Sequence, residues 1–201
     1  GEGDELEVRK GIAAGDNVLR PGDDLRTGDV VAAAGRRLRP QDVAILAAFG
    51  IVSVPVFRRP RVGILSTGNE LVSPQATPRP GQVRDVNQLA LAASARRAGT
   101  EVILAGIARD EPAEIVAKTR ELLDRSDVVL VSGGSSVGTR DLTAGVFTTL
   151  GAELLFHGIS IRPGKPTILA RVGEKPLLGM PGIPVSSLMV FDFFVRPLLW
   201  R

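Results

Sequence analysis

Hydrophobic and polar residues follow two different patterns along the chain, and the change falls near residue 60. Before it, short apolar stretches are separated by glycines, prolines and charges, and Pro40 predicts the start of a short helix over residues 40–49. The stretch Arg58-Arg59-Pro60 is typical of a linker. We therefore expect a partial N-terminal domain at residues 1–58 and a second domain at residues 59–201.

After the linker, strand and helix patterns alternate. Apolar runs at 61–66, 101–108 and 127–132 predict buried strands, and helical spacing predicts helices over 87–99, 112–124 and 142–150, the first of them capped by Asn87. Short strands are predicted near 152–156, 167–171 and 176–178, before a last helix that begins at Pro184. This order predicts an α/β fold: a three-layer α/β/α sandwich with a mostly parallel sheet and right-handed crossovers.

Composition narrows the chemistry that is possible. The chain of 201 residues has no cysteine and one histidine, which excludes disulfides, thiolate zinc sites and zinc sites built from several histidines. A bound metal would therefore take oxygen ligands, as Mg²⁺ does. The net charge of +3 and the absence of tyrosine give little support to nucleic-acid binding by base stacking. No apolar run suits a membrane span or a signal peptide, so we expect a cytoplasmic protein.

Three acidic residues follow the predicted strand ends. Glu70, Asp110 and Asp141 each come shortly after one of the three longest strands. Ligands of such folds bind outside the carboxyl ends of the strands, so these carboxylates are expected to converge there. Because like charges repel, a cation such as Mg²⁺ is expected to join them and to bridge to a phosphate.

Three loops offer groups that could hold an anion. The segment from Gly133 to Gly138 precedes a helix, whose free N–H groups favour an anion, although a tight turn capped by Asp141 fits equally well. In the RPGKP stretch, prolines could aim Arg162 and Lys165 in one direction as a clamp for an oxyanion, although a solvated hairpin is the simpler interpretation. Ser186 stands in the first turn of the last helix, where ordinary helix-start chemistry would also explain it.

Taken together and in this order, these motifs resemble the molybdopterin molybdenumtransferase family, which includes MoeA and the E domain of gephyrin. The matching pieces of the second domain are STGNEL at 66–71, GIARDEP at 106–112, SGGSSVGTRD at 132–141, RPGKP at 162–166 and GMPGIPVSS at 179–187. Upstream, DNVLRPGDDLRTGD at 16–29 and LRPQDVAILAAFGI at 38–51 resemble the segment that precedes the cofactor-binding domain in that family. The resemblance implies a MogA/MoeA-like molybdopterin-binding domain.

The resemblance implies an activity and a set of site residues. Members insert molybdenum from molybdate into adenylated molybdopterin and release AMP, with Mg²⁺ as cofactor. It implies catalytic roles for Asp141, Glu70, Asp110 and Asp24, with the first three as metal ligands and Asp24 reaching the site of a partner subunit. Residues implied to bind the ligands are Thr67, Gly68, Gly133, Gly134, Ser135, Ser136, Gly138, Arg162, Lys165, Pro181, Gly182 and Ser186. The partners implied are a second copy, as a homodimer of the full-length protein, and the molybdopterin adenylyltransferase.

The chain also departs from the family, and the departures keep alternatives open. Arg162 stands where lysine is usual, Ile183 where asparagine is usual and Leu19 where arginine is common. The family's C-terminal β domain and most of its N-terminal part have no counterpart here, so molybdenum insertion is expected of a longer parent protein. One alternative is a molybdopterin adenylyltransferase or a CinA-like enzyme, although the upstream segment argues against it. The other is a non-catalytic molybdopterin-binding or scaffold module, which Ile183 favours.

Overall fold

The computed structural model describes residues 10–133 and 137–200, with the backbone alone for residues 137–141. It divides into two compact units, Gly1–Pro55 and Val56–Arg201. Within the described residues, no helix is both long enough and apolar enough to span a membrane.

Aspartates stabilise a series of turns in the first unit. In each turn the carboxylate accepts a hydrogen bond from the backbone N–H three residues earlier, at 2.7–3.1 Å; the aspartates are Asp16, Asp23, Asp29 and Asp42. Local bonds of this kind explain how a segment rich in glycine and charge holds a defined path without regular structure.

The last of these turns leads into helix α1, Pro40–Ala48, which confirms the helix predicted from Pro40. Asp42 also pairs with Arg36 at 2.7 Å and with Arg39 at 3.0 Å. The hydrogen bond from Arg39 is the main cause that lowers the pKa of Asp42 to about 2. The carboxylate therefore stays ionised at the start of the helix, where negative charge is favourable.

A six-stranded sheet forms the centre of the second unit. Its strands are β1 (Arg61–Thr67), β4 (Glu101–Ala108), β5 (Val128–Ser132), β6 (Glu153–His157), β7 (Ile168–Val172) and β8 (Lys175–Met180), in the order β4-β1-β5-β8-β7-β6. The first four strands of that order are parallel, and β7 and β6 continue the sheet antiparallel to their neighbours. Two short strands, β2 (Leu71–Val72) and β3 (Val83–Arg84), pair separately. The mostly parallel sheet predicted from the apolar runs is confirmed.

Helices cover both faces of this sheet. They are α2 (Asn87–Arg97), α3 (Pro112–Arg125), α4 (Val137–Thr149) and α5 (Pro184–Val190), which continues as a π-helical stretch (Phe191–Val195) and α6 (Arg196–Leu199). Side chains of α2, α5 and the π-helical stretch pack on one face, whereas those of α3 and α4 pack on the other. Along β1 the alternation is direct, since Ile64 belongs to the first core and Leu65 to the second. The three-layer sandwich is therefore confirmed.

One helix boundary was predicted wrongly. Helix α4 begins at Val137, five residues before the predicted start at residue 142, so Asp141 lies inside the helix rather than at its cap. Gly138 makes the first turn unfavourable by about 1 kcal/mol relative to alanine. The burial of Val146 and Phe147 at 1% and 0% exposure shows that packing further along the helix outweighs this cost.

Asp127 joins the linker to the sheet of the second unit. Its carboxylate accepts two hydrogen bonds from the Arg58 guanidinium, at 2.7 and 2.5 Å, and one from the backbone N–H of Arg61 at 2.7 Å. The hydrogen bonds from Arg58 are the largest cause that lowers the pKa of Asp127 from 3.8 to about 2. The start of β1 is thus tied to the residue that precedes β5.

Replacing Asp127 should make stability less dependent on pH in acid. Because the folded pKa is depressed, the stabilisation is complete above about pH 4 and is lost as the pH falls through about 2. The free energy of unfolding of Asp127→Asn, measured by urea denaturation, should lie below the wild type by less than about 1 kcal/mol at pH 7, since the pair is partly exposed. The difference should shrink toward pH 2, whereas a constant difference would contradict the assignment. Glu121→Gln, at an exposed pair with Arg125, is the matched control and should change the free energy by a few tenths of a kcal/mol.

Candidate functional site

The parallel strands end side by side at one edge of the sheet. Ser66 lies opposite Ser132, Ser132 lies opposite Met180, and Thr67 lies opposite Ala108. A cleft of about 270 Å³ opens at this edge, and we call it the strand-end cleft. It is lined by Ser66, Thr67, Glu70, Leu71, Val83, Arg84, Asp85, Val86, Asn87, Ser132, Gly133, Gly182 and Pro184. This is the edge at which ligands of open α/β sheets bind.

Asn87 holds the cleft together. Its side-chain amide donates hydrogen bonds to the Ser132 hydroxyl at 2.8 Å and to the carbonyl of Gly182 at 2.7 Å. The prediction that Asn87 caps α2 is wrong, because Val86 is the capping residue and Asn87 is the first residue of the helix. Instead, the carboxylate of Asp85 accepts the N–H of Gln88 at 3.2 Å, as capping side chains do. The sequence pattern did not predict the hydrogen bonds of the Asn87 side chain, because they join it to residues far along the chain.

The acidic residues predicted for the site, Glu70 and Asp110, lie near this edge but make different contacts. Glu70 lines the strand-end cleft, and its carboxylate lies close to Gly68. Asp110 instead accepts the backbone N–H of Asn69 at 3.3 Å, while the Asn69 side chain accepts the N–H of Asp110 at 3.2 Å. Among the described residues, no group of three acidic or histidine side chains forms a metal site. The third predicted metal ligand, Asp141, lies in α4, where the side chain is outside the described residues.

Gly133 allows the backbone of two strand ends to approach closely. A Cβ atom at this position would lie 2.4 Å from the carbonyl oxygen of Thr67, closer than any real contact. Its φ of 153° also lies in a region that side chains rarely adopt. Glycine is therefore required where β5 leaves the sheet beside β1.

A second cleft, of about 500 Å³, adjoins the first at Gly182, and we call it the loop cleft. It is lined by Ile161, Arg162, Pro163, Gly164, Lys165, Pro166, Pro181, Gly182, Ile183 and Ser186. Its loop is held by the buried Thr167 hydroxyl, which donates to the carbonyl of Gly164 at 2.7 Å, and by the N–H of Ile159, which donates to the carbonyl of Lys165 at 3.0 Å. Arg162 and Lys165 are exposed, whereas Ser186 is buried. The cleft thus carries two cationic side chains and a hydroxyl.

Many of the predicted site residues line one of the two clefts, and the other predicted site residues do not. The strand-end cleft contains Thr67, Glu70, Gly133 and Gly182, and the loop cleft contains Arg162, Lys165, Pro181, Gly182 and Ser186. Gly68 and Asp110 are neighbours of the first cleft that do not line it, and Asp24 is exposed in the first unit. Gly134, Ser135 and Ser136 lie outside the described residues, and Gly138 lies in the first turn of α4. The sequence pattern missed Ser66, Asp85, Asn87 and Ser132, although each stands at or just after a strand end.

Comparison with known proteins decides the family. Residues 63–201 match the family described as "Probable molybdopterin binding domain". The chain belongs to this family. Residues 2–50 match a second description, "MoeA N-terminal region (domain I and II)". The motif-based resemblance to molybdopterin molybdenumtransferases is thereby confirmed.

Individual relatives agree with this assignment. A molybdopterin molybdenumtransferase of Bacillus subtilis (strain 168) is 34% identical over 96% of this chain and 45% of the relative. One from Nostoc sp. (strain PCC 7120) is 38% identical over 90% of this chain and 44% of the relative. The crystal structure of a molybdopterin biosynthesis MoeA protein from Pyrococcus horikosii is 42% identical, with a TM-score of 0.77, over 89% of this chain and 44% of that one. The chain therefore spans slightly under half the length of these relatives.

Removing the Asn87 side chain should loosen the whole strand-end cleft. In Asn87→Ala, the Ser132 hydroxyl and the carbonyl of Gly182 both lose a partner in a buried setting. The free energy of unfolding, measured by denaturant titration, should fall by about 1–3 kcal/mol. Asn69→Ala is the matched control, because Asn69 is exposed and accepts one backbone hydrogen bond, and it should cost under about 1 kcal/mol. Equal losses in the two variants would contradict a bridging role.

Proposed function

We propose that this chain is the molybdopterin-binding part of a molybdopterin molybdenumtransferase. In this proposal it binds adenylated molybdopterin, AMP is released, and molybdenum from molybdate is inserted. The observation that carries the proposal is that two clefts lined by charged side chains share Gly182. The strand-end cleft contains the carboxylates of Glu70 and Asp85 together with Arg84, and the loop cleft contains Arg162 and Lys165. The proposed substrate has a ring system that forms hydrogen bonds, and molybdate is a dianion. Binding both requires hydrogen-bond acceptors and cationic side chains close together.

The loop cleft suits molybdate by its charge and its donors. A tetrahedral oxyanion needs hydrogen-bond donors and positive charge, which Arg162, Lys165 and the Ser186 hydroxyl supply. Arginine presents a planar fork and holds its charge at every physiological pH, so it serves well at a position where lysine is usual in the family. The two prolines that flank Gly164 and Lys165 restrict the loop, which lowers the entropy lost when the anion binds.

Magnesium is the cofactor we propose for the release of AMP. Glu70 and Asp110 lie near the strand-end edge, and we propose that Asp141 completes the set. Carboxylate oxygens are the ligands that Mg²⁺ prefers, and the ion would neutralise charge on the phosphates of the adenylate. The homodimer, the role of Asp24 in the partner subunit's site, the molybdopterin adenylyltransferase as partner and the cytoplasmic location stay predictions of the family resemblance.

The activity is tested by incubating the chain with adenylated molybdopterin, Mg²⁺ and molybdate, and by following AMP with chromatography. AMP release together with molybdenum bound to the pterin supports the proposal. If the pterin binds and AMP never appears, the chain is a binding module instead. If the chain makes the adenylate from ATP and molybdopterin, it is an adenylyltransferase. The match of residues 2–50 to the MoeA N-terminal region favours the first outcome.

Arg162→Ala should weaken the use of molybdate selectively. Loss of one charged hydrogen bond is worth about 1.5 kcal/mol or more, so the molybdate concentration that gives half-maximal insertion should rise about ten-fold. Arg162→Lys should recover most of this loss because it keeps the charge. Arg97→Ala is the matched control, since Arg97 is an exposed arginine in the last turn of α2, at the opposite edge of the sheet. An unchanged molybdate dependence in Arg162→Ala would remove Arg162 from the oxyanion site.

Asp141→Asn should lower the rate of AMP release by at least about ten-fold, because a metal ligand that stabilises charge on a phosphate contributes several kcal/mol. Raising Mg²⁺ should recover part of the rate if the variant binds the ion more weakly. The measurement is the initial rate of AMP release at several Mg²⁺ concentrations. A wild-type rate and a wild-type Mg²⁺ dependence would show that Asp141 is not a metal ligand.

A further inference from the structure

Helix α5 begins with residues that are unfavourable for an exposed helix start. Ile183 occupies the capping position, and no side chain caps the helix there. Isoleucine is among the poorest residues at this position, whereas asparagine, aspartate and serine are preferred because their side chains accept free N–H groups of the first turn. Ile183 is also 60% exposed and Val185 is 64% exposed, with the exposed Pro184 between them. Runs of exposed apolar residues are avoided on surfaces unless they serve a function.

Packing further along the helix explains why α5 forms without a cap. Val190 and Phe191, at the end of α5 and the start of the π-helical stretch, are 0% and 1% exposed and belong to the core on this face of the sheet. Burial of two large apolar side chains stabilises the helix more than a capping hydrogen bond does. The formation of α5 therefore does not depend on which residue stands at position 183.

Ile183 faces a cleft in which the charged side chains are all positive. It lines the loop cleft together with Arg162, Lys165 and Ser186, and none of the described residues that line this cleft is acidic. Two cationic side chains and a hydroxyl suit any tetrahedral dianion, sulfate as well as molybdate. Discrimination between two such anions must therefore come from the walls that offer no hydrogen bond, of which Ile183 is one.

We propose that Ile183 is a specificity-determining residue that favours molybdate over sulfate in the loop cleft. Both anions are tetrahedral dianions, but molybdate is the larger and holds its hydration water less firmly, because the free energy of hydration of an ion becomes weaker as its radius grows. The Ile183 side chain replaces some of this water and offers no hydrogen bond in return, which costs sulfate more than molybdate. The inference rests on the proposed function for molybdate as the anion.

Ile183→Asn gives a test with two readouts that a merely structural role would not couple. Asparagine should cap α5 and raise the thermal unfolding midpoint by about 2–4 °C. The dissociation constant for sulfate divided by that for molybdate, each measured by isothermal titration calorimetry, should fall about three- to ten-fold, because the amide can form hydrogen bonds where isoleucine cannot. Ile183→Val stays apolar and adds no cap, so it should keep both the midpoint and the ratio of the wild type.

Glu111→Asn is the matched control for added stability. Glu111 is the exposed capping residue of α3, its side chain does not cap the helix, and it lines neither cleft. This variant should raise the midpoint by a similar amount and keep the wild-type ratio. The inference is overturned if Ile183→Asn keeps or raises the ratio, if Glu111→Asn lowers it equally, or if the wild type does not prefer molybdate.

Anion binding and AMP release are different measurements, so failure of this inference is distinguishable from failure of the proposed function. A chain that prefers molybdate, and loses the preference in Ile183→Asn, but releases no AMP would keep the role of Ile183 and lose the transferase activity. A chain that releases AMP but binds the two anions alike, or binds neither, would keep the activity and overturn the role of Ile183.

Discussion

Parallel pairing of β4, β1, β5 and β8 is the constraint on which the rest of the site depends. Parallel strands need crossovers that return each chain segment to the same starting edge, so every strand ends at the opposite edge. Ser66, Ser132 and Met180 consequently lie next to one another although they are far apart in sequence. Both faces of the sheet are covered by helices, so polar groups meet solvent at the ends of the strands.

A single buried amide makes this edge into one site. Asn87 connects the start of α2 with the end of β5 and with the turn that follows β8. Those are the segments that separate the strand-end cleft from the loop cleft, since Gly182 lines both. The hydrogen bonds of Asn87 therefore help to set the spacing between the two clefts.

Sequence patterns predicted the strands well because buried parallel strands are nearly continuous apolar runs. The strand Glu101–Ala108 and the helix that begins at Pro112 have their predicted starts. The patterns were less successful where glycine and serine precede a helix, as at the start of α4. The sequence patterns also predicted a helix cap at Asn87, whereas its side chain bridges Ser132 and Gly182. Both roles use an asparagine at nearly the same position, so the pattern does not distinguish them.

By itself, the sequence determined the family, the alternation of strands and helices, and the loops that carry the candidate chemistry, because each of these depends on local patterns and motifs. Tertiary structure alone decided that Ser66, Asp85 and Asn87 share the strand-end cleft. It also decided that Asp110 does not line this cleft but exchanges hydrogen bonds with Asn69. It also decided that Arg162 and Lys165 line a cleft that adjoins the first at one glycine. The physical reason is that hydrogen bonding and burial join residues that are distant along the chain, and no local pattern records which of them meet.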